Sequence, residues 1–223
     1  MSALSVDTVR GPEPARRYVE WTKTLHAPDS IILPIAGEGS GKSLHAGVFL
    51  SAHVIYDLRL MGSNQLYWVV GADFEDARKD FEYFANFQEQ LNNVGSLSMP
   101  SHRDQQCTLV TKTGQTVVTI SSYDVTKIAR EEPLGIVIAE VSRCMQETFE
   151  RCEGRLIRNF PHSWMYASGS PESSYGWLPD LARFAEGPNE REVRTFYIPS
   201  WCNLAKYPGG REDPAIKRVE AGR

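Results

Sequence analysis

Residues 31–43 read Ile31-Ile32-Leu33-Pro34-Ile35-Ala36-Gly37-Glu38-Gly39-Ser40-Gly41-Lys42-Ser43. The apolar run at the start reads as a buried strand, and the glycines that follow read as a tight loop. From Lys42 onward Leu44, Val48, Ala52, Ile55 and Leu58 recur at helical spacing, which predicts a helix over about 42–60. Strand, glycine loop and helix in that order form the context in which GxxxxGKS/T grips phosphate. Small residues let backbone N–H groups turn inward onto phosphate oxygens, and the helix N-terminus adds its positive end. Gly37, Glu38, Gly39, Ser40, Gly41, Lys42 and Ser43 are therefore the candidate nucleotide-binding residues. Lys42 would reach the β- and γ-phosphates, and the Ser43 hydroxyl is the candidate Mg²⁺ ligand. Ala36 stands where the pattern asks for Gly, which is tolerable if that position has φ below zero. The competing reading is a glycine-rich turn with an exposed lysine.

A phosphate loop that splits its nucleotide needs a second strand ending in acids. Gly135-Ile136-Val137-Ile138-Ala139-Glu140 has that shape. Glu140 takes the place of the base that polarises water; a surface acid at a strand end is the alternative. Position 139 is Ala where an Asp would normally stand. Mg²⁺ would then lean on Ser43, the phosphates and water, and slower hydrolysis is expected. Asp124 is a candidate to compensate, although nothing in the sequence places it near the loop. The next strand candidate, Ser163-Trp164-Met165-Tyr166-Ala167-Ser168, leads into Gly169-Ser170-Pro171. Ser168, Gly169 and Ser170 are candidates for sensing the γ-phosphate and coupling its loss to movement; an ordinary strand-to-loop turn is the alternative.

The remaining segments fit an α/β domain. Leu66-Tyr67-Trp68-Val69-Val70-Gly71 reads as a strand, and 72–91 as a helix with Asp73 as its N-cap. Residues 107–111 and 115–121 flank Lys112-Thr113-Gly114 as a hairpin. Residues 141–154 read as a helix or long turn, and 194–198 as the last strand. Residues 15–25 fit a short helix in which Tyr18 and Trp21 pack on the sheet, or, with His26, border an adenine. Alternating strands and helices predict a mostly parallel sheet covered on both faces. The expected layout is a flexible arm over 1–14, one domain over 15–207, and a linker over 208–223 towards a further domain.

Composition sets limits. The 223 residues are 41% hydrophobic, enough for one full core. Net charge is -4, so nucleic-acid contact must be local or shared among copies. Cys107, Cys144, Cys152 and Cys202 form no CxxC pair, and reduced thiols in a cytosolic protein are expected. The histidines show no HExxH spacing, so no protein-ligated zinc is expected. Neither a membrane span nor the apolar core of a signal peptide is visible.

Taken in order, these motifs resemble the ATPase domain of the large terminase subunit of tailed bacteriophages, the motor that packages DNA into procapsids. AGEGSGKS is similar to that family's GGRGSGKS-type loop. Leu66–Gly71 with the helix holding Ala77-Arg78, Ser121-Ser122-Tyr123-Asp124 running to the acidic strand, Arg155-Leu156, and Trp164-Met165-Tyr166-Ala167-Ser168-Gly169-Ser170-Pro171 continue the likeness. So do 177–184 and Ser200-Trp201-Cys202-Asn203, giving a match over about 15–210. The resemblance implies a P-loop NTPase of the strand-catalytic-glutamate type. ATP and Mg²⁺ would bind at the loop, and hydrolysis would drive translocation of double-stranded DNA. It further implies a homo-oligomeric ring, the portal protein and the small terminase subunit as partners, and a place in the host cytoplasm, transiently at the procapsid portal. A ribonuclease H-like nuclease domain would begin about where this sequence ends; no two-metal nuclease acids are visible, and no DNA cleavage is expected.

Three positions depart from the family pattern. Ala36 replaces the first Gly, Ala139 replaces the strand-end Asp, and Glu38 stands where the family often has an Arg that acts as a finger within the same subunit. A carboxylate at position 38 would repel the phosphates by about 1 kcal/mol or more. Arg130 lies just before the acidic strand, where the resemblance implies a trans-acting arginine, and Arg143 is a second candidate. Arg78, Lys79, Lys127, Arg155 and Arg158 are candidate contacts to DNA phosphates. The alternatives are a scaffold of the same fold that binds nucleotide but hydrolyses it weakly, and a helicase-like remodeller. No DEAD-type or arginine-rich late motif supports the last.

Overall fold

The computed structural model describes residues 31–124, 128, 130–159, 161–170, 176–186 and 193–221. The arm over 1–14, the helix expected over 15–25, and Tyr18, Trp21, His26 and Lys127 lie outside the described residues.

The expected strand-loop-helix unit is present as β1 (Ile31–Ala36) and α1 (Lys42–Met61). Next come β2 (Leu66–Gly71) and α2 (Phe74–Gln90). Asp73 caps α2, its side chain accepting a hydrogen bond from the Asp76 amide at 2.9 Å. Strands β3 (Val94–Ser98), β4 (Thr108–Thr111) and β5 (Thr116–Ser121) follow. β6 (Gly135–Ile138), α3 (Gln146–Leu156), β7 (Trp164–Ala167), α4 (Trp177–Phe184), β8 (Val193–Ile198) and α5 (Pro214–Ala221) complete the order.

One eight-stranded sheet runs β3-β4-β5-β2-β6-β7-β1-β8. From β5 to β8 every neighbouring pair is parallel, whereas β3 and β4 attach antiparallel at one edge. Parallel strands need covered faces, and the side chains sort accordingly. Ile32, Tyr67, Val69, Val137, Trp164 and Tyr166 pack beneath α1 and α2 with Phe49, Phe81 and Phe84. Ile31, Leu33, Trp68, Val70, Ile136 and Met165 pack beneath α3 and α4 with Phe149, Cys152 and Leu181. Period-two alternation thus divides wholly apolar strands between two cores.

Two stretches differ from the sequence reading. β3 was not expected: it is a largely exposed edge strand whose Gly, Ser and Leu show no alternation. Within the supposed linker, α5 forms a helix anchored by buried Ile216.

α1 and α2 cross closely because Gly47 has no side chain. A Cβ there would lie 2.6 Å from Tyr83 Cβ and 2.8 Å from the Phe84 amide nitrogen. That contact brings the first half of α2 beside the start of α1.

Candidate functional site at the carboxyl edge of the sheet

The strand order sets the site. β7 lies between β1 and β6, so the carboxyl ends of these three strands meet side by side. Ligands of open α/β sheets bind at this edge. The glycine loop leaves β1, Glu140 follows β6, and Ser168–Ser170 follow β7.

Ala36 is the last residue of β1 and is not among the residues of positive φ, so replacing Gly there is tolerated. The turn is made instead by Gly39 (φ 70°) and Gly41 (φ 98°), which both sit in the left-handed region. Gly41 caps α1 without a side-chain bond, leaving the amides of the first turn facing the loop. Lys42, only 8% exposed, donates to Ser170 Oγ at 2.8 Å and lies 3.4 Å from Glu140 Oε1. Ser170 Oγ in turn donates to the Ala36 carbonyl at 2.7 Å. Glu140 is half-buried with φ 45°, a left-handed conformation that costs a non-glycine residue about 1–3 kcal/mol. The structure therefore brings together Lys42, Glu140 and Ser170.

Ser168 is placed differently. It is buried; its amide bonds the Ile138 carbonyl, and its carbonyl accepts from the Val141 amide, so it ties β7 to the turn carrying Glu140. Gly169 bridges to β1 through Pro34 and Ala36. Glu38 is exposed at the loop's tip and lines the cleft.

Other expected residues lie elsewhere. Arg130 is exposed on the turn before β6. Arg143 is 2.7 Å from the buried carboxylate of Asp76, an ion pair within the subunit. Of the candidate DNA contacts, Arg78 donates to Glu82 and to the Pro100 carbonyl, and Arg158 pairs with Glu132. Lys79 lines the cleft beside the loop and pairs with Asp76 at 3.2 Å.

The cleft has a volume of ≈ 690 Å³ and opens between the loop and α2, with Lys79, Tyr83 and Asn86 on one wall and Asn203 on another. Asn203 Nδ2 donates to the Gly39 carbonyl at 2.8 Å. The Lys206 ammonium lies so close over Gly39 that a Cβ there would be 2.4 Å from it. A second cation thus stands over the loop.

The carboxylate that the structure brings to Ser43 is Asp80, on α2, while Asp124 lies on the turn after β5. Asp80 is 3% exposed, and the Ser43 hydroxyl stands near enough to favour its ionised form. Burial pushes its carboxyl up to about 7; Glu140 adds to that, while Ser43, Lys42 and Lys79 pull the other way. The signal was present in the sequence: Asp80 shares the buried stripe of α2 with Ala77, Phe81 and Phe84.

No protein-family model matches the sequence, and no curated protein does. Solved structures do match. The large terminase of a thermophilic bacteriophage, in complex with ADP, superimposes with a TM-score of 0.64 at 13% identity, covering 93% of this chain and 48% of that one. The ATPase domain of the Thermus phage P74-26 large terminase gives 0.60 at 12% identity, with 88% of each chain covered. This chain has the fold of the large-terminase ATPase domain. The bacteriophage HK97 large terminase gives 0.55 at 10% identity over 85% of this chain and 39% of its own. This chain spans about half the length of the intact large terminase complexed with ADP and nearly all of the isolated P74-26 ATPase domain.

Proposed function

We propose that this chain is an ATP-hydrolysing motor domain of the phage DNA-packaging type. The observation that carries this reading is the contact of three strand ends through Lys42, with Ser170 at 2.8 Å and Glu140 at 3.4 Å. A loop that held only structure would have no reason to collect a buried lysine, a strained glutamate and a hydroxyl from three strands. Fold alone does not assign function, so the weight rests on these side chains.

The residues present fit a Mg²⁺-nucleotide. Two loop glycines hold the left-handed turn, the first amides of α1 face the cleft, and buried Asp80 Oδ2 has no hydrogen-bond partner among the described residues. Gly37 to Gly41 would cradle the phosphates and Lys42 would neutralise them, exchanging Ser170 and Glu140 for phosphate oxygen. Ser43 would hold Mg²⁺, which when bound offsets charge on the phosphates. Glu140 would accept a proton from the attacking water. Ser170 would report whether Lys42 is engaged with phosphate, because it bonds both Lys42 and the β1 end. Exposed Arg130 is the candidate to act on a neighbouring subunit's nucleotide. In this reading the domain works on double-stranded DNA as one member of a ring in the host cytoplasm, at the procapsid portal, with portal protein and small subunit.

Ala139 favours a second reading, a nucleotide-binding scaffold that turns over slowly. The two are separated by ATP hydrolysis with Mg²⁺, with and without DNA. The motor reading expects turnover that DNA stimulates and Lys42→Ala abolishes. Calorimetry should show nucleotide affinity falling about a hundredfold in Lys42→Ala, roughly 2.7 kcal/mol. Unchanged affinity in that variant would refute the phosphate role.

A further inference from the structure

The proposal above leaves a divalent cation without the strand-end acid that Ala139 cannot supply. Asp80 is buried, the Ser43 hydroxyl stands beside its carboxyl, and Oδ2 has no hydrogen-bond partner among the described residues. An unsatisfied buried carboxylate oxygen is costly and calls for an explanation such as a missing ion. The position is specific: Asp80 abuts the hydroxyl that is the natural cation ligand of the loop, within the field of Lys42 and Glu140. A serine hydroxyl, one carboxylate and phosphate oxygens form the hard-oxygen set that Mg²⁺ takes in nucleotide sites. Among the described residues no three His, Cys, Asp or Glu side chains converge as a protein-only metal site, which agrees with a cation shared with phosphate.

Resting on the nucleotide reading of the loop, we infer that Asp80 on α2 is the carboxylate that holds the divalent cation beside Ser43. It approaches from the helical layer, in place of the missing acid at position 139. Gly47 makes this possible, because α2 could not otherwise approach the start of α1.

The test is a set of binding measurements on the chain as it stands, using a fluorescent non-hydrolysable ATP analogue in EDTA and in Mg²⁺. In wild type, Mg²⁺ should tighten binding. Asp80→Asn should reduce the Mg²⁺-dependent gain, the ratio of the affinities in Mg²⁺ and in EDTA, about tenfold. Adding Ala139→Asp to Asp80→Asn should restore the gain, whereas Ala139→Asp alone should add little, since wild type already has its carboxylate. The inference is overturned if Asp80→Asn keeps the full gain, if wild type binds the analogue with no gain from Mg²⁺, or if Ala139→Asp alone raises the gain about tenfold. The last arm decides the matter even if Asp80→Asn does not fold. If wild type binds no analogue in either condition, the nucleotide reading fails and this inference falls with it.

Discussion

Two buried aspartates stand near the two ends of α1, and their surroundings differ. Asp57, near its C-terminal end, is 3% exposed, as is Asp80 beside its N-terminal end. Asp57 accepts from the Tyr67 hydroxyl at 3.2 Å and Trp164 Nε1 at 3.1 Å, with His53 Nδ1 3.8 Å away. Both donors, from β2 and β7, reach Oδ2, so Asp57 ties α1 to the sheet. Burial, and then Asp57 itself, hold the Tyr67 hydroxyl protonated well above its ordinary range. Asp80 is buried beside the Ser43 hydroxyl, and its Oδ2 has no hydrogen-bond partner among the described residues. Equal burial therefore conceals different settings: Asp57 takes two donors from the sheet, whereas Asp80 Oδ2 takes none among the described residues, beside the loop serine where a ligand would complete it.

The comparison is most exposed to Asp57→Ala. That change leaves two buried donors unpaired and should lower stability by about 3 kcal/mol in urea unfolding, with nucleotide affinity of the folded fraction intact. A loss of nucleotide affinity without loss of stability would reverse the two roles. Gly47→Ala should cost about 1–2 kcal/mol by overpacking the α1–α2 crossing. Unlike Asp57→Ala, it should also weaken nucleotide binding in Mg²⁺, because α2 carries Asp80. Asp80→Asn, measured without nucleotide, should be neutral or stabilising by about 1 kcal/mol, since a buried carboxyl with one unpartnered oxygen is replaced by a neutral amide. Marked destabilisation of that variant would mean that Asp80 is structural after all.

The smallest effect is expected in the opposite core. Burial pushes the thiols of Cys144 and Cys152 up to about 12. At pH 8 only about one in ten thousand would be thiolate, so alkylation of the native protein should be negligible over hours and complete in urea. The sign follows from the raised value: reactivity would appear only as pH climbs towards it. Rapid native modification would show that the layer beneath α3 opens.

Much of this was legible in the sequence. The strand-loop-helix unit, the Asp73 cap, the hairpin and the acidic strand are local patterns, decided by residues within a few positions of one another. The edge strand β3 and the helix α5 were not legible. The first lacks alternation, and the second is a short helix seated through one buried side chain, Ile216.

By itself the sequence determined that a glycine loop with Lys42 and Ser43 follows a buried strand, and that Glu140 and Ser170 end two others. Those features depend on backbone freedom and side-chain chemistry at neighbouring positions. Only the tertiary structure decided which groups meet there. Ser170 reaches Lys42 across 128 residues because β7 is the neighbour of β1 in the sheet. Lys206 lies over Gly39, and Asp80 meets Ser43, because chain segments distant in sequence pack against the loop. Strand order and the close crossing at Gly47 are settled by burial of the whole core, and no short stretch of residues encodes them.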